Sequence, residues 1–279
     1  MVIERASALF AEGQLSRDLR ASAGREASAA AVVVDLQPED AVSLANGDVM
    51  PAFTKGLSLE SIFRALSAQP TGPASRDAMI NGKVQELLRI SASPDVDAQL
   101  DAIFKFAAAA TQSGRDDIAI AFFDASASET KLSEAIGLAG AKLLPIVFVR
   151  FTAHLEHERS KITSNIKKPA PAALVNGSPA IVVDGSDAVA LYRVSFEAIA
   201  RARQHRGPTV IECSMSVPVN PASETKNSIY KTTEPLGRDP VVNMENYLKG
   251  KGIWNEEAKR TMIADFEQEL NRATSFLFT

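Results

Sequence analysis

One cysteine, three histidines and a single tryptophan in 279 residues remove several function classes before any motif is considered. Cys213 has no partner for an internal disulfide, and it stands in the apolar run Thr209-Val210-Ile211-Glu212-Cys213, where a buried small hydrophobe is expected. No apolar run approaches the roughly 20 residues that a membrane span requires. The N-terminus mixes Glu4, Arg5, Glu12, Arg17 and Asp18, unlike the charged-then-apolar order of a secretory signal, so a cytoplasmic location is expected. A basic stripe is missing too. The net charge is −4 and the pI near 5.6, which argues against a nucleic-acid partner, because phosphate binding releases counterions through clustered cations. The short group Arg201, Arg203, His205 and Arg206 reads instead as a helix end, where positive charge complements the dipole. No Gly-x-Gly-x-x-Gly follows any strand-like segment, so a dinucleotide site has no visible phosphate loop.

The histidines offer little metal chemistry. His154 and His157, with Glu156 or Glu158 nearby, make at most half a site, lacking a cysteine or third histidine. An exposed charged turn over residues 154–159 is the plainer expectation.

Apolar residues make up 46% of the chain, enough for a substantial core. We expect one α/β domain over residues 1–279, with helical N- and C-terminal extensions. Residues 24–36 are rich in alanine and valine, which suits a tightly packed helix ended before Pro38. Ser58 and Ser61 compete as caps for a helix near residue 59. Leu100, Ile103, Phe104, Phe106 and Ala107 to Ala110 predict a helix with a broad buried face over residues 96–113. Two strand, helix, strand units follow. The first runs through residues 118–122, 129–141 and 144–149, and the second through 180–184, 188–204 and 209–213. Their strands are continuously apolar and short, the pattern of parallel strands buried on both faces. A layered, mainly parallel sheet flanked by helices is the predicted fold. Residues 154–178 and 217–238 read as long irregular connections. Asn255 predicts the cap of a last helix with Ala258, Met262, Phe266 and Leu270 along one face.

Several short motifs occur in a fixed order: Gly24-Arg25-Glu26-Ala27, Leu36-Gln37-Pro38-Glu39-Asp40 with Lys55-Gly56, Ala98-Gln99, and Phe123-Asp124-Ala125 followed by Arg150-Phe151-Thr152. After them come Val183-Asp184-Gly185-Ser186-Asp187, Gly207-Pro208-Thr209-Val210-Ile211-Glu212, Arg238-Asp239-Pro240, Tyr247-Leu248 and Lys251-Gly252-Ile253-Trp254. Together they resemble the alpha subunit of the first, thiamine-diphosphate-dependent component of 2-oxo-acid dehydrogenase complexes, of the pyruvate or branched-chain type. The resemblance spans nearly the whole chain and implies a thiamine-diphosphate-binding fold.

It also implies an oxidoreductase that oxidatively decarboxylates a 2-oxo acid and passes the acyl group to lipoamide. Thiamine diphosphate and magnesium would be the cofactors. A beta subunit and a lipoyl-bearing acyltransferase would be the partners, and a homo-oligomer is expected. By the same resemblance the cofactor-binding positions are Asp124, Ala125, Ser126, Ser128 and Thr152, with Asp124 and Thr152 as the metal ligands.

The motif is thinned. Phe123 and Ala125 replace the glycines of Gly-Asp-Gly, Ser128 stands for a nearby asparagine, and Thr152-Ala153 for an Asn-Asn pair. Phe123 is expected to occupy space that a diphosphate needs, and Asp124 to serve either as a ligand or as a cap for the helix near Ser128. Asn46-Gly47-Asp48-Val49 offers no cation where the family carries one, and Asp97 adds a negative charge. These departures predict weak binding of thiamine diphosphate by the isolated chain. They keep open an alternative, a catalytically silent relative that acts as a structural or regulatory subunit. Close approach of small side chains predicts a homodimer through residues 100–110 or 132–141.

Overall fold

The computed structural model describes residues 1–15, 24–44, 48–67, 96–123, 127–155, 173–175, 177–217 and 239–278. Six strands form one sheet in the order β1-β2-β3-β6-β5-β4. These are β1 (Ala41–Ser43), β2 (Ala119–Phe123), β3 (Ile146–Leu155), β4 (Ala173–Val175), β5 (Ser178–Asp184) and β6 (Thr209–Val217). All neighbours are parallel except the edge pair β4 and β5. The helices are α1 (Val2–Ala11), α2 (Glu26–Val33), α3 (Met50–Thr54), α4 (Leu59–Leu66), α5 (Val96–Gln112), α6 (Glu129–Ala141), α7 (Ala188–Arg203), α8 (Pro240–Gly250) and α9 (Glu256–Thr274).

Side chains alternate across a strand, so β2 and β3 serve two cores at once. Ile120, Phe122, Val147, Val149 and Phe151 pack with α2 and α7 through Ala29, Val32, Leu191 and Ile199. Ala119, Ala121, Phe123, Ile146 and Phe148 pack the other way, with Ile103 and Ala107 of α5 and Leu132, Ile136 and Ala139 of α6. Burial on both faces is why these strands read as unbroken apolar runs. Each fully buried Phe, Ile or Val contributes about 1.5–3 kcal/mol.

All four predicted strands are present and parallel. Four differences stand out. In β5 the predicted burial is only partial: Val183 is 6% exposed and Val182 44%, because the face carrying Val182 is left open there. β1 is a fully buried strand that three residues are too short to announce by periodicity. Ala173–Val175 pairs in register with β5, inside a stretch read as irregular. His154 lies in β3, opposite Ser216, rather than in a turn, and residues 156–159 lie outside the described ones.

Caps settle several boundaries. The Ser58 hydroxyl accepts from the Ser61 N–H at 3.2 Å, so Ser58 is the cap of α4. Asn255 accepts from the Ala258 N–H at 2.8 Å at the start of α9. Only the end of that helix packs: Leu270 is buried, while Ala258 and Met262 of the predicted face are exposed and Phe266 is half-buried. Upstream, Glu245 of α8 receives Lys249 and Lys259, each at 2.8 Å. Their hydrogen bonds hold its carboxyl down at about 2 and join α8 to α9.

The basic group 201–206 does end a helix, with a more specific job than dipole matching. Arg203 forms an ion pair with Asp40, which is wholly buried. Asp40 Oδ2 also accepts from the Gln37 N–H at 2.7 Å, and Oδ1 from the Ile118 N–H at 3.0 Å. One carboxylate thus ties the turn before β1, the start of β2 and the end of α7.

Removing one member of a buried pair strands the other charge, so Asp40→Ala should cost about 3–5 kcal/mol of unfolding free energy. Urea titration of the two chains checks this, and a loss below about 1 kcal/mol, the range of an exposed pair, would contradict it. Gln99 makes a similar bridge at the opposite end of the strands. Its Nε2 donates to the Phe122 carbonyl at 2.9 Å and the Leu44 carbonyl at 3.3 Å, and Gln99→Leu should cost about 1–3 kcal/mol by orphaning buried acceptors.

Candidate functional site

The strand order runs from β1 to β2 to β3 in one direction, then returns from β5 to β6. The reversal falls between β3 and β6, and in open α/β sheets the crevice beyond the carboxyl ends of strands at such a point is where ligands bind. Phe151 stands opposite Cys213 there, and Thr152 opposite Ser214. Thr152 is buried, with its hydroxyl 3.5 Å from the Cys213 carbonyl. Asp124, Ala125 and Ser126 lie outside the described residues. Ser128, the N-cap residue of α6, is exposed and makes no side-chain capping bond.

Arg150 brings Ser128 and Thr152 into one neighbourhood. It shares the sheet face of Thr152, pairs in register with Phe123 at the end of β2, and donates from Nη2 to Glu129 Oε1 at 3.1 Å in the first turn of α6. Arg150 has no role of its own in the motif, although its position two residues before Thr152 in a strand is a signal that both side chains share a face.

Phe123 behaves differently from expectation. Its ring is 2% exposed and stacks on Phe148 with centroids 6.3 Å apart, inside the core under α5 and α6. The pleat turns the bulk into the protein, so this ring takes no room from a ligand at the carboxyl edge. Asp97 is also less disruptive than expected, because Lys131 neutralises it at 2.6 Å.

A second polar group lies on the α2 side of the sheet. Arg25, 5% exposed, lies over the Phe151 ring at 5.0 Å, a cation–π contact next to Thr152. Asp48 is 2% exposed and accepts from the Met50 N–H at 3.2 Å. Burial pushes its carboxyl up against the opposing pull of Arg25 and the Met50 bond. Glu26 is raised as well, first by burial and then by Asp239 and Asp48. The stretch that lacks a cation in sequence thus meets one in space, supplied by α2. Burial likewise pushes up the Cys213 thiol, with Glu212 adding to the effect. Close approach completes the edge. The Ser28 hydroxyl donates to the Gly185 carbonyl, and a Cβ on Gly185 would meet Met215 Sδ at 2.2 Å.

A magnesium ion asks for several oxygen ligands, carboxylates among them, in octahedral geometry. Among the described residues at this edge the donors are neutral hydroxyls, Thr152 and Ser128, beside a fixed guanidinium and a carboxylate already paired with it. Asp124, the carboxylate of the predicted ligand pair, lies outside the described residues. Among the described residues no group of three or more His, Cys, Asp or Glu stands ready to hold a metal.

A parallel sheet with polar side chains near the carboxyl ends of its strands is an architecture shared by many α/β proteins. The chain belongs to the dehydrogenase E1 component family, whose sequence model it matches over residues 2–276. The "Pyruvate dehydrogenase E1 component subunit alpha" of Bacillus subtilis strain 168 is 28% identical over 263 residues, 90% of this chain and 68% of that one. The protein of the same name from Staphylococcus epidermidis RP62A is 28% identical over 261 residues, again 90% and 68%. Among solved structures, a putative thiamin diphosphate-dependent enzyme from Mycobacterium smegmatis has a TM-score of 0.40 at 17% identity, over 69% of this chain and 32% of that chain. A transketolase from Pichia stipitis has a TM-score of 0.41 at 14% identity, over 70% and 35%. The chain spans about a third of the length of those two solved chains. No helix among the described residues is long and apolar enough to cross a membrane.

The raised carboxyl of Asp48 carries a pH signature. A carboxyl whose folded pKa exceeds its ordinary 3.8 favours the folded chain fully below that value. The benefit is lost as pH rises through the folded pKa. Asp48→Asn should therefore gain stability relative to the parent between pH 4 and pH 7. Urea midpoints at the two values test it, and a gap that stays constant or shrinks toward neutrality would contradict the assignment.

Proposed function

We propose that this chain is an alpha-type subunit of an E1 component that oxidatively decarboxylates a 2-oxo acid. The observation that carries the reading is the family match over residues 2–276, supported by Thr152, Ser128 and Arg25 near the carboxyl ends of the central strands. In this reading thiamine diphosphate is the cofactor and supplies the chemistry at the keto carbon. A beta-type subunit completes the site, and a lipoyl-bearing acyltransferase takes the acyl group. Residues 1–279 act as one domain in the cytoplasm.

Self-association belongs to the same reading, with a restriction on the surface used. Ala107 of α5 and Ala139 of α6 are turned into the chain's own core, and Ala110 of α5 is buried. A homodimer through these helices therefore uses their outer residues, such as Ala109 and Leu138, which are exposed.

The replacement of both motif glycines by Phe123 and Ala125 and of the Asn-Asn pair by Thr152-Ala153 favours a second reading, a non-catalytic subunit that keeps the fold and its interfaces. Reconstitution decides between them. With a beta-type subunit, thiamine diphosphate, magnesium and a panel of 2-oxo acids, release of carbon dioxide coupled to an artificial electron acceptor is the expected result. Tight association with the beta-type subunit and no turnover on any acid of the panel would instead establish the structural role.

A further inference from the structure

We infer that the open face of α9 is a docking surface for a partner segment that folds as a basic amphipathic helix. The inference goes beyond the catalytic reading and holds for either subunit role.

The helical period sets two rows of side chains side by side on α9. Ala258, Met262 and Phe266, four residues apart, form an apolar row, and Glu257, Asp265 and Glu269 form an acidic row beside it. Both rows line a groove of about 720 Å³ along the helix. At its far end the apolar row runs into the core, where Leu270 is buried and Phe266 meets the Phe53 ring edge-on at 6.1 Å. Toward the N-terminus it comes to the surface: Ala258 is exposed, and Met262 is 57% exposed. Apolar anchors one helical turn apart, in a groove, are what an amphipathic helix lays its own stripe against. A central methionine suits such a contact, because its flexible thioether adapts to the partner's side chains.

Charge selects the occupant. The neighbouring cations are committed elsewhere: Lys249 and Lys259 both reach Glu245 at 2.8 Å, and Lys249 also reaches Glu256 at 2.9 Å. Arg260 turns its Nε to the Glu256 carbonyl at 3.3 Å. The groove therefore carries three exposed carboxylates and, among the described residues, no cation. Like-charge repulsion turns away a second copy of this face, a nucleic acid or an anionic lipid surface. A helix whose apolar stripe is flanked by lysine or arginine satisfies both rows at once. From Glu257 to Glu269 the helix rises about 18 Å, so roughly three turns of partner helix match it. The bonds to Glu245 also clamp α9 to α8, which orders the face before a partner arrives.

The test uses the full chain and two labelled peptides of about 18 residues. Both carry leucine at i, i+3, i+4 and i+7, with either lysine or glutamate at the remaining positions. Fluorescence anisotropy at about 0.1 M salt should show micromolar binding of the lysine peptide and at least roughly 10-fold weaker binding of the glutamate peptide. The paired reversal Asp265→Lys with Glu269→Lys should weaken the lysine peptide by about 10-fold or more. Met262→Gln should weaken it by roughly 5-fold or more, through the lost apolar anchor. A control reversal, Asp101→Lys with Glu134→Lys, changes the net charge equally on α5 and α6, across the sheet from α9. It should leave binding within about 2-fold, because separated surface charges are screened.

No binding of the lysine peptide, or equal binding of the two peptides, overturns the inference. So does a control reversal that weakens binding as much as the α9 pair does, since net charge alone then explains the effect. If the α9 reversal fails to fold by circular dichroism, Met262→Gln decides, and unchanged binding there overturns the inference. None of these readouts involves thiamine diphosphate or turnover, so the proposed function stands or falls separately.

Discussion

The Asp40 carboxylate is the constraint on which the layout depends. It is wholly buried, and its partners come from residues 3, 78 and 163 positions away. A charge in such a place survives only when its acceptor sites are filled. Here filling them requires the turn at Gln37, the entry to β2 and the last turn of α7 to converge. The amino edge of the sheet is thereby closed by one polar knot, with α7 held against the β3–β6 seam. Among the described residues the carboxyl edge carries no buried carboxylate knot of that kind.

At the carboxyl edge the chain spreads polar groups instead of concentrating them. Gln99 holds the exits of β1 and β2 together through two carbonyls. Arg25 is shared between the Phe151 ring and the buried Asp48. Arg150 reaches outward to Glu129. Each of these ties joins only two or three elements, and side chains held in advance lower the ordering cost of any binding at such an edge.

Much of the fold was legible because its strands are buried on both faces. Ile118 to Phe122 and Ile146 to Val149 can hardly be anything but interior, and crossover helices of a dozen or more residues force them parallel. β1 and β4, at three residues each, are below the length at which a period can be read. The candidate site was legible only in part. Correspondence with a family motif says which residue has replaced a glycine, but not where its side chain points, and Phe123 was misjudged for that reason. Counting alternate positions from Ala119 and Ala121 would have sent it into the core. The partnerships of Asp40 with Arg203 and of Arg25 with Asp48 join residues far apart in sequence, and neither spacing nor composition carries that information.

The lone thiol of the chain sits on β6 opposite Phe151, at the seam where the two halves of the sheet meet. It is buried, and burial keeps it in its unreactive protonated form. A thiol reagent can reach Cys213 only in molecules whose β3–β6 seam has parted. The rate of its modification is therefore a direct clock for opening of the seam, separate from fraying at the termini or at the sheet edge. A ligand that bridges the two halves at the carboxyl edge would slow that clock without touching the sulfur.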